Sequence, residues 1–206
     1  AGGRYRPLAQ FTFMVEYELF GGDLKDQVGM NRDPRNEQLF TDSILPIVSH
    51  LGNLVLYLLL AFLIYHTLQT AFPRWDHEKW YLSIPFVATI LFVLHPLHVE
   101  AVANIKGRDE IMSMLGAFFA LYASIQFVIK RKKYYLLLSF IGILFSLFSK
   151  ENGITFLAVV PLVLYFMDSK PQKWDYFWTL IPLFIGSIIF LYVRYRALGS
   201  MMATEE

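Results

Sequence analysis

From Ile44 to Leu68 the chain runs for 25 residues without a single Asp, Glu, Lys or Arg. At about 1.5 Å per residue such a helix exceeds the roughly 30 Å hydrocarbon core of a bilayer. Five more apolar segments follow, at about 82–97, 111–129, 134–148, 153–167 and 176–193. The sequence is 56% hydrophobic and 17% aromatic, above the usual share for a soluble domain. The expected fold is all-α, a polytopic helical membrane protein with about six transmembrane segments. The first, third and sixth segments are long enough to span, and the second is borderline. The fourth and fifth are short and separated only by Ser149, Lys150, Glu151 and Asn152. They read either as thin spans with snorkelling flanks or as one hairpin that enters and leaves on the same side.

Ahead of the spans, residues 1–42 read as an outer loop. Leu8, Phe11, Val15 and Leu19 recur there at helical spacing opposite Gln10 and Glu16, before Gly21 and Gly22. That pattern predicts an amphipathic helix lying in the membrane interface. Residues 43–196 form the expected helical bundle, and 197–206 an outer-side tail. The start at Ala1, with no initiator Met, basic region or apolar leader, reads as a piece of a longer polypeptide. With no cysteine, disulfides and thiolate metal sites are excluded. A net charge of +1 gives no reason to expect a nucleic-acid partner. No phosphate-cradling glycine loop, nucleophile elbow or fixed-period repeat is present.

Alternating spans sort the loops into two sides. Side A, near 69–80, 130–133 and 168–175, holds eight Lys/Arg and four acids. Side B, comprising 1–42, 98–110, 149–152 and the chain from Arg194, holds ten and thirteen. The run Lys130-Arg131-Lys132-Lys133 directly at a helix end marks side A as cytoplasmic. Every unusual polar cluster then falls on side B, the outward face.

The densest cluster is HPLHVEAVANIKGRDE, His95 to Glu110. Continued as helix past Pro96, it sets Glu100, Asn104 and Arg108 on one face at i, i+4 and i+8. His95 and His98 are neighbours three apart. A solvated loop with local charge pairs is the plain alternative. A zinc site from His95, His98 and Glu100 lacks both the HExxH spacing and a fourth ligand. A polar site for a charged head group explains more, because ionisable groups beside hydrocarbon are costly. Lys150 and Glu151 in SKENG, and Arg4 and Arg6 in RYRPL, add cations suited to a phosphate on the same side. His50 and Asn53, three apart near the side-B end of the first span, read as pointing toward that site, or as a helix–helix hydrogen bond.

RYRPL, the HxxN of His50 and Asn53, HPLHVEAVANIKGRDE and FSKENGITFLAVVPL occur in the order and spacing of one group of multispanning glycosyltransferases. The chain resembles transmembrane O-mannosyltransferases that act on cadherins, and their bacterial relatives carrying tetratricopeptide repeats. The resemblance implies a GT-C type fold that takes a sugar from a polyprenyl-phosphate carrier at the non-cytoplasmic face. The acceptor would be a hydroxyl on a protein or glycan. It implies a catalytic role for Glu100, with His98 beside it. Arg4, Arg6, His50, Asn53, His95, Asn104, Arg108, Lys150 and Glu151 would contact the sugar or the lipid phosphate. The resemblance calls for no cofactor, with a divalent metal ion as the candidate. Other membrane subunits are conceivable partners. This chain begins after the family's first span and the acid-bearing part of its first outer loop, and Lys106 with the Asp109-Glu110 pair departs from the animal pattern. Absent cysteines and the bacterial relatives favour a bacterial inner membrane, with the endoplasmic reticulum membrane as the alternative. A transporter fragment and a non-catalytic, lipid-binding subunit are the rival readings.

Overall fold

A computed structural model describes residues 5–21, 45–75 and 79–198. Arg4, the loop at 23–42 and the tail from 199 lie outside the described residues, so the expectations made for them are not addressed by it. Among the described residues there are eight α-helices and no strand. They are α1 (Pro7–Phe20), α2 (Leu45–Ala71), α3 (Ile84–Val93), α4 (Leu97–Ala103), α5 (Arg108–Lys130), α6 (Tyr134–Ser149), α7 (Phe156–Phe166) and α8 (Lys173–Leu198). Three of the described helices are long and apolar enough to cross a membrane. A fourth span results if α3 and α4, bent by 64° at their junction, are taken together. Helices α6 and α7 are the two shorter apolar ones.

Helix α5 is the hub. Its spanning window is 72% buried, against 28% for α2 and 33% for α8. The outer helices instead show leucine, isoleucine and aromatic side chains such as Leu58, Phe62, Phe184 and Ile188 on their outer faces. That is how a bundle solvated by lipid distributes its apolar surface. Ile125, Ile143, Leu147, Val160, Leu164 and Leu183, from α5, α6, α7 and α8, are fully buried and form the main core.

Helix α6 folds back along the whole of α5. Ser124 and Ser139 share a 3.0 Å hydrogen bond at one end, and the Ser146 hydroxyl donates to the Ser113 carbonyl (2.7 Å) at the other. Between them Gly116 and Gly142 let the backbones meet, the small-residue contact favoured between membrane helices. A Cβ on Gly116 would stand 2.7 Å from the Ser146 amide nitrogen and 2.8 Å from the Gly142 carbonyl oxygen. Gly116→Leu is therefore expected to cost about 1–3 kcal/mol of stability by overpacking. Thermal unfolding in detergent checks this, and an unchanged transition would rule out the close contact.

Further contacts set the course of the two short segments. Ser149 ends α6 level with the start of α5, where the Ser113 hydroxyl donates to the Lys150 carbonyl (3.1 Å). Helix α7 then returns, and the Asp168 amide donates to the Ala71 carbonyl at the far end of α2 (3.1 Å). Helices α6 and α7 therefore run in opposite directions between the two ends of the bundle, each shorter than the three long apolar helices.

Cross-element ion pairs sort by end in the same way. At the side-A end Arg131 pairs with Asp175, and the Arg74 Nε donates to Asp168 (2.7 Å). Hydrogen bonds from Arg74 hold the Asp168 carboxyl below the usual carboxylate range. Arg131 adopts a left-handed backbone conformation (φ 58°) that ends α5, so the basic run also makes the turn into α6. At the side-B end the pairs are Arg6–Asp109, Arg108–Glu16, Lys150–Glu110 and Arg194–Glu151.

Helix α1 lies across this second end as an amphipathic helix, with an orientation the sequence pattern leaves open. Phe11, Met14, Val15 and Leu19 face outward, while Ala9, Thr12, Phe13 and Glu16 turn toward the bundle. An outward apolar stripe beside a lipid-facing bundle fits an interfacial helix.

Candidate functional site

Pro96 starts the site by breaking the second apolar segment. It has no N–H to continue the helical ladder and restricts His95 before it, so α3 stops and α4 leaves at an angle. The Leu97 amide donates to the His95 Nδ1 (3.3 Å), which covers one free amide of the new helix. Helix α4 is only seven residues long. It ends where Asn104 turns extended and its Oδ1 accepts from the Lys106 amide (3.0 Å). This is the local side-chain turn that lets asparagine compete with a helix. A turn over Ile105–Gly107 then leads into α5. Gly107 packs on α4 so closely that a Cβ would stand 2.8 Å from the Ala101 Cα.

This geometry corrects the expected face of Glu100, Asn104 and Arg108. The helix does not run through to Arg108, so the three do not share one side. Glu100 is exposed, whereas Arg108, the first residue of α5, is among the most buried side chains of the molecule at 1%. Its guanidinium is fully engaged. Nε donates to Asn53 Oδ1 (2.8 Å), Nη2 to the Ser49 carbonyl (2.9 Å), and Nη1 pairs with Glu16 (2.6 Å). The Phe13 ring lies 4.4 Å from its Cζ. The Ser49 hydroxyl donates to the other Glu16 oxygen (2.6 Å), and Asn53 Nδ2 donates to the Asn104 carbonyl (3.2 Å). Gly52 leaves room for the pair, since a Cβ there would approach Arg108 Nη2 at 3.1 Å and Glu16 Oε1 at 3.2 Å. Arg108 thus clamps α1, α2 and the Asn104 turn together.

Of His50 and Asn53, both expected to point toward the site, only Asn53 turns inward, where it makes hydrogen bonds between elements. Ser49, Asn53 and Tyr57 form the buried stripe of α2, and His50, one residue past Ser49, falls on the exposed side. His98 packs its ring against Phe92 (4.2 Å between centroids) and Tyr57 (5.9 Å), and His95 is exposed at the bend. Glu151 is tied to the buried Arg194 of α8. Among the described residues no group of three metal-ligating side chains converges, including His95, His98 and Glu100.

What does converge is a polar cavity of about 360 Å³ beside α4. Arg6, Glu100, Asn104 and Lys150 line it, as do Lys106, Asp109 and Glu110. Three cations and three carboxylates therefore meet there. Arg6 pairs with Asp109 and Lys150 with Glu110, while Glu100 makes no ion pair among the described residues. On the far side of Lys150 and Glu110 lies a second, mostly apolar cavity of about 340 Å³, bounded by Met114, Ala117 and Phe156.

Curated relatives align with most of the chain. A protein O-mannosyl-transferase of Caenorhabditis elegans is 30% identical over 163 residues, which is 78% of this chain and 18% of that protein. Protein O-mannosyl-transferase TMTC1 of Homo sapiens is 29% identical over 183 residues, 83% of this chain and 17% of that protein. This chain resembles the protein O-mannosyl-transferases. A third relative of the same description, TMTC4 of Mus musculus, is 24% identical over 193 residues, 91% of this chain and 18% of its own length. The chain thus spans under a fifth of each of these relatives. No family model and no solved structure matches it. These relatives are animal proteins, which lends no support to the bacterial inner membrane.

Lys106, Asp109 and Glu110 line the cavity although their sequence signal is only a departure from the animal pattern, and Glu16 and Gly52 complete the clamp without being singled out. Asp109 and Glu110 stand in the first turn of α5, where acids are favoured whatever the function. The signal that points to them is the charge balance of side B, where each arginine and lysine beside hydrocarbon needs an acid from another loop.

Proposed function

We propose that the chain forms part of the sugar-transfer site of a membrane protein O-mannosyl-transferase. The donor would be a polyprenyl-phosphate-linked sugar and the acceptor a protein hydroxyl. Transfer would occur on the non-cytoplasmic face of the endoplasmic reticulum membrane, the location that suits relatives from animals. One observation carries this reading: a charged cavity and an apolar cavity meet at the shared pair Lys150 and Glu110, at the side-B end of the bundle. An amphiphile with a phosphate head and an isoprenoid tail needs both compartments side by side.

The division of labour follows from the chemistry. The acceptor oxygen attacks the sugar's anomeric carbon, and the bond to the phosphate oxygen breaks with its electrons left on the lipid phosphate. The charge growing on that phosphate needs cations in a site shielded from water. Arg6 and Lys150, from two separate segments, suit that need. The hydroxyl proton needs a carboxylate within reach, for which Glu100 is the candidate. Asn53 and Arg108 would act behind the cavity by fixing the Asn104 turn. Further spans and a tetratricopeptide array belong to the whole protein under this reading.

Lys150→Met tests it. Binding of farnesyl phosphate to the chain in detergent is expected to weaken about tenfold or more, the loss of one charge-assisted hydrogen bond. Unchanged binding would remove the lipid-phosphate assignment and favour a structural role for the cluster.

A further inference from the structure

Lys150 and Glu110 are unequal partners. The Lys150 side chain is 15% exposed and the Glu110 side chain 55%. The lysine's backbone is held at several points. Its amide donates to the Ser146 carbonyl (2.9 Å), and its carbonyl accepts from the Ser113 hydroxyl (3.1 Å) and the Gly153 amide (3.3 Å). Glu110 sits in the first turn of α5 and lines both cavities. The cation is built into the wall, and the acid is the partner free to leave.

We propose that this is an exchangeable ion pair: a lipid phosphate displaces Glu110 from Lys150, and Glu110 retakes Lys150 to expel the spent lipid phosphate. This rests on the proposed function. The sugar-bearing donor is a phosphodiester with one negative charge. The lipid monophosphate left after transfer carries about −1.5 to −2 at neutral pH. A fixed lysine alone would hold the product more tightly than the donor and slow each turnover. A carboxylate competing for the same ammonium opposes that bias and keeps the site open to the next donor. Glu110 is thus a positioning residue that acts through Lys150.

The test uses Glu110→Gln, with Glu110→Asp as the charge-retaining control and thermal unfolding to confirm the fold. Ligands are farnesyl phosphate, inorganic phosphate and neutral farnesol, titrated onto the chain in detergent. Glu110→Gln is expected to bind farnesyl phosphate about twofold to fivefold more tightly, the scale of a partly exposed ion pair. Glu110→Asp should stay close to the parent. In the full-length protein, Glu110→Gln should lower steady-state turnover and strengthen inhibition by farnesyl phosphate while the first turnover is retained. Binding that depends on Lys150 yet is unchanged or weakened by Glu110→Gln would overturn the exchange alone. Farnesyl phosphate binding indifferent to Lys150→Met would overturn the proposed function and the exchange with it. Equal affinity for inorganic phosphate and farnesyl phosphate would overturn the lipid as the ligand.

Discussion

Replacing Arg108 with methionine is expected to destabilise the folded chain by about 3–5 kcal/mol, the cost of removing one partner from a buried charge pair. Methionine matches much of the arginine's length, so lost volume is not the main term. What is lost is the cation that pairs with Glu16 among the described residues, and the Glu16 side chain is only 17% exposed. The fully buried Asn53 also loses the donor to its Oδ1. An orphaned buried acceptor adds about 1–3 kcal/mol where nothing replaces the bond. Chemical unfolding in detergent gives the magnitude. The decisive comparison is the double variant Glu16→Gln with Arg108→Met. If the penalty comes from stranding a carboxylate, the double variant should be more stable than Arg108→Met alone. A loss below about 1 kcal/mol in the single variant, typical of exposed pairs, would show that the clamp does not hold the helices together.

The spans were legible because lipid leaves few solutions for a backbone: long uncharged runs must be helical and must alternate. Ile44 to Leu68 and the basic run at Lys130 carried most of that information. The polar end was legible only in outline. Sequence spacing placed Arg6, Glu100 and Lys150 on one side, and the fold brings all three to one cavity. Spacing misled where a short side chain overrode the helix. Asn104 closes a turn with the Lys106 amide, and Arg108 is thereby swung from the cavity face into the bundle. Helical arithmetic assumes the helix continues, and nothing in the i, i+4 pattern records an asparagine that stops it. Pairings between distant loops were out of reach for a related reason. Lys150 and Glu151 are adjacent in sequence, yet one pairs with Glu110 and the other with Arg194, because the choice is made by tertiary contact.

Glu100→Gln is expected to lower sugar transfer by the full-length protein about 10²–10⁴-fold, the usual share of a general base. Glutamine keeps the size and polarity of the side chain but cannot accept the hydroxyl proton. Glu100 is suited to the task by what it does not do: it is exposed in the cavity and makes no ion pair among the described residues. Asp109 is by contrast held by Arg6, and Glu110 pairs with Lys150 while no lipid phosphate is bound. The short helix that carries Glu100 is pinned at both ends, by the Pro96 bend and by the Asn104 turn, which Asn53 and Arg108 fix from behind. A base held this way should show its loss in kcat and not in donor affinity, so farnesyl phosphate binding should be retained in Glu100→Gln. Loss of binding together with transfer would make Glu100 a part of the binding wall. Unchanged transfer would move the base to a carboxylate elsewhere in the whole protein, leaving this cavity with the lipid phosphate alone.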